Sequence, residues 1–495
     1  MTTTLSSATL DALDPRIAVP QYDRATVSVG VVHLGVGGFH RAHQAVVMDD
    51  LLASGQREWG ICGVGLLDGD ARMRDALRTQ DTLYTHVTRA ADGRSDVRVI
   101  GSIVEYLFAP EERELVLRRL TDPATRVVSL TVTEGGYLQS HATGRFDPEA
   151  AAVVADLASP EVPSGAFGYI VEALRLRRDR GIRPFTVMSC DNIRANGDVA
   201  RSAALGYASL RSPDLAEWIA DNVSFPNSMV DRITPATSTE VHEVLRSEYG
   251  LDDAWPVASE DYFQWVLEDD FCNASPPYED ARVEVVRDVV PFELMKLRML
   301  NASHQILAYL GSVAGYRLVH EAAADEALRH VLRHFWLNEA IPTLTPIPGV
   351  NFVDYAESLL SRYANPHVRD TLERLATDAS NRIPVFVLPI VADCLTGGLP
   401  PTVGALTVAT WEKYVRGIDD NGDELIQHDN RADALRKRAV AGSTGVHGFL
   451  GDPAVFGDLG NDATFVAQYE QCRTVLESNT VTNAVRVVLG PVSVR

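Results

Sequence analysis

The stretch Val29–His40, VGVVHLGVGGFH, decides the fold. Its first six residues, Val29–Leu34, are apolar and rich in β-branched side chains, which is the pattern of a buried strand. They run straight into Gly35, Gly37 and Gly38, and Arg41–Ser54 continues with helical character. Strand, glycine turn and helix in immediate succession form the context in which a glycine fingerprint binds a dinucleotide. Gly35 and Gly37 permit a tight turn and close backbone approach to a pyrophosphate, which then lies at the positive end of the helix. His40 stands where the usual pattern has its third glycine.

Further strands follow at the spacing of an α/β sheet. Gly60–Leu66 reads as a second strand, with Asp68 and Asp70 behind it. A carboxylate at that strand end would accept from ribose hydroxyls and repel a 2′-phosphate; two solvated loop acids fit the same residues. Val97–Val104 and Val127–Val132 read as strands, the latter ending in Thr133-Glu134-Gly135-Gly136-Tyr137. Ligands of open α/β sheets bind outside the carboxyl ends of strands, which makes Thr133 and Glu134 candidates for cofactor contact. Phe167–Arg178 is helical, and Pro184–Ser189 is a strand leading to Cys190-Asp191-Asn192. Asn196-Gly197 reads as a turn, and residues 1–28 as an irregular lead-in.

After about residue 290 no strand pattern of that strength recurs. The helical patterns there are Pro291–Ser312, Asp325–Leu337, Val353–Tyr363, Val368–Thr377, Gly404–Arg416, Ala432–Val440 and Asn461–Ser478. The expectation is a Rossmann-like dinucleotide-binding domain over residues 1–285 and a mainly α-helical domain over 286–495. A small-molecule site is expected between two such domains. Within the first of these helices, Pro291–Gly311 (PFELMKLRMLNASHQILAYLG), Lys296, Asn301 and His304 are the residues able to do chemistry. At roughly 100° per residue Asn301 lies about 140° round from Lys296 and His304 about 80° round. All three share one sector with Leu300 and Leu307. A lysine desolvated by apolar neighbours loses basicity, and such an amine can take a proton from an alcohol. An amide and an imidazole beside it can hold an oxygen that gains negative charge. An amphipathic helix edge with a solvated lysine is the plainer reading of the same pattern.

Composition sets the outer limits. The chain has 495 residues, 46% of them hydrophobic and 23% charged, a globular balance with room for two or three domains. Its formal net charge of −22 disfavours nucleic acid or an anionic membrane as a partner. Five cysteines without a CxxC spacing argue for reduced thiols and a cytoplasmic setting. No basic and apolar leader opens the chain, and no uninterrupted run of about 18 apolar residues is present. His40 and His43 have a metal-ligand spacing, but no nearby cysteine or carboxylate completes a set, so no metal is expected. The acidic run Asp419–Glu424 lacks the ligand spacing of a calcium loop.

Four blocks carry a resemblance: GVGGFHRAHQA at Gly35–Ala45, TVTEGGY at Thr131–Tyr137, SFPNSMVDRITP at Ser224–Pro235, and Lys-x4-Asn-x2-His at Lys296–His304. Together they resemble the polyol-specific long-chain dehydrogenase/reductases, the mannitol dehydrogenase family, over nearly the whole chain. The resemblance implies Gly35, Gly37, Gly38, Phe39, His40, Arg41, Asp70, Thr133 and Glu134 as the cofactor-binding set, with NAD favoured over NADP through Asp70. It implies Lys296 as a general base, Asn192 and Asn301 as the amides that hold the reacting oxygen, and His304 as the residue that orients it. Asp231, Arg374 and Arg382 are implied as substrate contacts. The family's mannitol enzymes usually carry lysine where this chain has Arg382, so a planar fork replaces a point charge.

The implied activity is metal-free, NAD-dependent oxidation of D-mannitol to D-fructose and the reverse, by a monomer acting on small molecules. Within the family, D-arabinitol or sorbitol dehydrogenases would use the same apparatus. Fructuronate or tagaturonate reductases would need a cation for the substrate carboxylate, which Arg374 or Arg382 could supply. An NAD-binding sensor without turnover is the alternative from another class. Glu293, one turn before Lys296, is a candidate proton relay to solvent.

Overall fold

The computed structural model describes residues 2–139, 146–441 and 448–491. It divides into two compact units, Met1–Val290 and Pro291–Arg495.

A five-stranded parallel sheet carries the first unit. Its strands are β1 (Val29–Leu34), β2 (Gly60–Gly65), β3 (Ile103–Phe108), β4 (Val127–Leu130) and β5 (Thr186–Ser189). They lie in the order β3-β2-β1-β4-β5. All neighbours are parallel. Every residue of β1, β2, β4 and β5 is buried. That burial explains why these strands read as unbroken apolar runs, since a parallel sheet is covered on both faces. Helices Ala109–Leu120, Ala166–Asp179 and Asn196–Arg211 pack beside the sheet and share one apolar cluster with its strands. The chain crosses from one side of β1 to the other between β3 and β4. The switch point therefore lies between the carboxyl ends of β1 and β4, where ligands of this fold bind.

Several expectations needed correction. The stretch expected as one strand over 97–104 is two strands, Ser95–Ile100 and β3, in different sheets. Gly101 and Ser102 separate them, and a Cβ at Gly101 would lie 2.8 Å from the Pro20 ring. The lead-in is not wholly irregular: Thr3–Thr4 pairs with Leu251–Asp252, and Ile17–Ala18 pairs with Val97–Arg98. The helix expected over 41–54 breaks at His43, whose φ of −125° and ψ of −86° are not helical. Short strands Tyr84–Arg89, Ser228–Asp231, Val257–Glu260 and Gln264–Glu268 had no pattern strong enough to separate them from loop.

Among its described residues the second unit has helices and no strand. Its centre is the helix Ala302–Val313, which is buried at every position but His304. Helices Leu372–Ala376 and Thr402–Val415 pack against it, and Ala463–Ser478 packs on the latter. Helices at Val319–Ala324, Ala379–Phe386, Leu388–Thr396 and Val481–Leu489 were not expected from sequence. Proline sits inside or at the start of the middle two, at Pro384 and Pro389, and masked their periodicity. The 18 residues Ala379–Thr396 are apolar and long enough by composition to span a membrane. They form two helices broken at Val387, and Asp393 within them pairs with Arg298.

Candidate functional site

The helix that bears Lys296 is not uniformly α. It begins as α over Val290–Met295, winds as a π turn over Lys296–Asn301, and resumes as α over Ala302–Val313. The Ala302 amide donates to Leu297 O, five residues back. This corrects the angular expectation, because i→i+5 bonding places residue i+5 nearly above residue i. Lys296 and Asn301 are such a pair. The π turn thus brings positions 296 and 301 nearer to one face than a straight α-helix, which would set them about 140° apart. Lys296 and Asn301 are 7% and 8% exposed, and His304, partly exposed, follows on the next turn with its ring 4.9 Å from that of Tyr363. Asn301 Oδ1 is buried and makes no hydrogen bond among the described residues. Glu293 is buried one turn before Lys296.

Side chains donate to two carbonyls of this turn. Trp336 Nε1 donates to Met299 O at 2.9 Å, Tyr363 Oη to Leu300 O at 3.0 Å, and Ser303 Oγ donates to Met299 O. Trp336 itself begins a second π turn, Trp336–Ala340. Arg298, inside the first turn, donates to Thr343 O at 2.7 Å and pairs with Asp393 at 2.6 Å.

In the first unit the glycine turn lies at the switch point. Gly35 has φ of +87°, and a Cβ there would lie 2.4 Å from Thr131 O. Only glycine meets both demands. A Cβ at Gly37 would meet only Gly35 O, at 4.0 Å, so open space remains above the turn. Beneath it runs a buried chain of hydrogen bonds. Thr131 Oγ1 donates to Gly35 O at 2.7 Å. Its single proton being used, it accepts from His33 Nε2 at 2.9 Å, which leaves His33 Nδ1 to accept from Ser129 Oγ at 2.8 Å. Burial pushes the His33 imidazole down to about 3, so it is neutral. His40 stacks on it with ring centroids 3.4 Å apart, and burial holds its basicity well below the ordinary range.

The cofactor candidates therefore fall into two groups. His40 and Arg41 point inward: Arg41 is 2% exposed, its Nη1 donates to Trp255 O at 2.5 Å, and its cation lies over the Tyr84 ring. Phe39 stacks on His43. Asp70, Thr133 and Glu134 lie toward solvent. Asp70 follows β2 and accepts from the Leu67 amide through Oδ2 at 2.9 Å. Thr133 adopts a φ of +62°, a strained value for a β-branched residue.

What holds Thr133 there is Asp191, which sequence reasoning passed over. Its carboxylate accepts from the amides of Val132 at 2.8 Å and Thr133 at 3.1 Å and from Tyr137 Oη at 2.7 Å. Burial raises its pKa, and those hydrogen bonds oppose the rise. Asn196 was missed too. It is not a turn residue but the buried first residue of the helix Asn196–Arg211. Its amide donates to Asp191 O and Ser228 O and accepts from the Ser228 amide. It thereby ties the loop of Asn192 to the strand Ser228–Asp231 that ends in Asp231. Gly197 is forced, since a Cβ there would lie 2.4 Å from Phe225 O. Such long-range clamps leave no local signal in sequence.

Asp231 and its neighbour Arg232 are both buried, with Arg232 donating to Glu260 O and Ala42 O. Arg374 holds Asp370 in a bidentate pair at 2.6 and 2.5 Å. Arg382 Nη1 donates to Arg374 O and Leu375 O at 3.3 and 3.2 Å. Asp419 accepts from Arg317 and from two amides of its own loop, as a polar loop does. No group of three or more potential metal ligands occurs among the described residues.

Comparison with known proteins agrees with this architecture. Residues 29–280 match the mannitol dehydrogenase Rossmann domain and residues 288–476 the mannitol dehydrogenase C-terminal domain. A mannitol 2-dehydrogenase of Phaeosphaeria nodorum is 43% identical over 478 residues, 96% of this chain and 83% of that protein. The Pseudomonas fluorescens mannitol 2-dehydrogenase, solved with NAD and D-mannitol, is 41% identical, covers 98% of this chain and 99% of its own, and has a TM-score of 0.87. A D-sorbitol dehydrogenase solved without substrate is 40% identical, covers 97% of this chain and 100% of its own, and has a TM-score of 0.91. With both family domains matched in order across most of its length, the chain belongs to the mannitol dehydrogenase family.

Proposed function

We propose that the protein is an NAD-dependent polyol dehydrogenase that oxidises D-mannitol to D-fructose and runs in reverse. The observation that carries this reading is the π turn that bears buried Lys296 and Asn301, with His304 on the turn that follows. NAD supplies the hydride acceptor at the nicotinamide C4. The glycine turn fits such a group: Gly35 makes the turn, the open space at Gly37 leaves room for a pyrophosphate, and Asp70 Oδ1 remains for a ribose hydroxyl.

Lys296 Nζ takes the proton of the C2 hydroxyl as the C2 hydrogen leaves as hydride. The amides of Asn192 and Asn301 donate to the oxygen while its charge grows, and His304 orients it. In the reverse direction Lys296 returns the proton to the carbonyl oxygen. Asp231 accepts from a substrate hydroxyl, and Arg374 and Arg382 bound the distal end. Arg374 is already neutralised by Asp370, and Arg382 is tied to two carbonyls. That supports an uncharged polyol or ketose over a uronate, which would need an uncommitted cation.

The test is oxidation of NADH with D-fructose, beside NADPH and beside D-fructuronate, D-xylulose and L-sorbose. NADH consumption with fructose is expected. Lys296→Ala should lower turnover by about 10²–10⁴-fold near neutral pH while NADH still binds. Turnover with a uronate alone would move the substrate assignment, and none with any carbonyl would leave a binding protein.

A further inference from the structure

Two π turns face each other in the second unit, and only one bears residues with a role in the proposed reaction. The second, Trp336–Ala340, contributes Trp336, whose side chain is fully buried. Its indole N–H donates at 2.9 Å to the carbonyl of Met299, in the middle of the turn Lys296–Asn301. Tyr363 reaches the next carbonyl, Leu300 O, at 3.0 Å and lies 2.8 Å from Ser303 Oγ. The Trp336 and Tyr363 rings stack at 6.5 Å, so the two donors share one packing unit. Tyr363 also lies against the His304 ring.

A π turn is rarely the preferred state of a helix, and Leu, Met and Lys carry high α propensity. If the turn relaxed to α, Lys296 and Asn301 would lie about 140° apart round the helix. A relaxation that moved Met299 O and Leu300 O away from the Trp336 and Tyr363 donors would leave buried polar groups without partners, which opposes it. We propose that Trp336 and Tyr363 are positioning residues: their N–H and O–H donors lock the π turn and so hold Lys296 and Asn301 on one face of the helix. The claim rests on the reading of Lys296 as the base, but the lock itself is a statement about the helix. Neither residue touches substrate in this account.

The test uses Trp336→Phe and Tyr363→Phe in the full-length protein: Tyr363→Phe deletes only the hydroxyl, and Trp336→Phe keeps a ring while it deletes the N–H together with part of the indole. Trp336→Phe is expected to lower kcat for the polyol by about tenfold, and the double variant by about a hundredfold, as misplacement of a reacting group does. The pH of half-maximal kcat/KM, which reads Lys296, should shift, while NADH binding stays at the wild-type value. Amide exchange at Asn301–Ile306 should speed up in both single variants. A merely structural role would lower melting temperature and leave the pH profile and local exchange in place; that result overturns the proposal. If Trp336→Phe does not fold, Tyr363→Phe carries the same readouts. If the wild type turns over no polyol, the base reading falls, and unchanged exchange at Asn301–Ile306 in the variants would separately remove the lock.

Discussion

His33 Nε2 lies 2.9 Å from Thr131 Oγ1, and that hydroxyl donates in turn to the carbonyl of Gly35. The strand before the glycine turn and the strand after the switch point are thus joined through one imidazole. Removing a buried hydrogen bond of this kind costs about 1–3 kcal/mol. Here the cost falls on the geometry of the turn. Thr131→Val is expected to weaken NADH binding by about 5–150-fold with little change in kcat, read by quenching of protein fluorescence. An unchanged dissociation constant would show that the chain of hydrogen bonds does not set the turn.

The same burial makes a prediction about acid. Burial depresses the pKa of His33 to about 3, and those of His40 and His86 well below 6.5. In the unfolded chain these rings protonate near 6.5, so between that pH and the folded values the unfolded state binds more protons. Each ring therefore contributes stability that is present above pH 6.5 and is lost as pH falls toward its folded value. The loss is up to about 1.4 kcal/mol per pH unit for each histidine. Calorimetry at pH 7 and pH 5 should show the first unit's transition falling, and His33→Gln should fall by less over that interval. An equal fall in both proteins would remove His33 from the account.

Asp70 offers a test of coenzyme choice. Its Oδ2 is engaged by the Leu67 amide, so one carboxylate oxygen and the charge remain. Asp70→Ser removes the charge that would repel a 2′-phosphate and keeps an acceptor for Leu67. The ratio of kcat/KM for NADH over NADPH is expected to fall by about tenfold or more. A ratio that does not move would place the discriminating group elsewhere, with Asp68 the next residue to change.

How much of this was legible in the sequence follows from the range of the forces involved. Val29–Leu34 and Val127–Val132 declared themselves because strands covered on both faces must be apolar throughout. Gly35 declared itself because no other residue fits its backbone and its neighbour at once. Lys296, Asn301 and His304 stand out by type, but the angles expected of a straight α-helix do not hold through the π turn. The residues of the π turn are good α formers, and the side chains that donate to its carbonyls come from Trp336, 40 positions from Lys296, and Tyr363. Asp191 and Asn196 escaped for the same reason: each is a short polar residue near a strand end whose partners lie on other segments. Local pattern names the chemistry; partners distant in sequence set the geometry.

Glu339 carries the last prediction. It is fully buried in the second π turn, and its carboxylate accepts from the amides of Val403 and Gly404 at 2.5 and 3.0 Å, at the start of helix Thr402–Val415. Burial raises its pKa from 4.5 to about 7, and the two amides oppose the rise. A folded value above the unfolded one means that its stabilising contribution is complete below pH 4.5 and is lost as pH rises through 7. At about 1.4 kcal/mol per unit, that loss is on the order of 3 kcal/mol across the interval. Glu339→Gln removes the titration and leaves one of the two amides facing an NH₂ group, at a cost of about 1–3 kcal/mol. The variant should be clearly less stable than wild type at pH 5, and the gap should narrow by pH 8. Urea titrations of both proteins at pH 5, 6, 7 and 8 read this directly. A gap that stays constant with pH would mean that Glu339 keeps one protonation state throughout, held as the anion by the two amides.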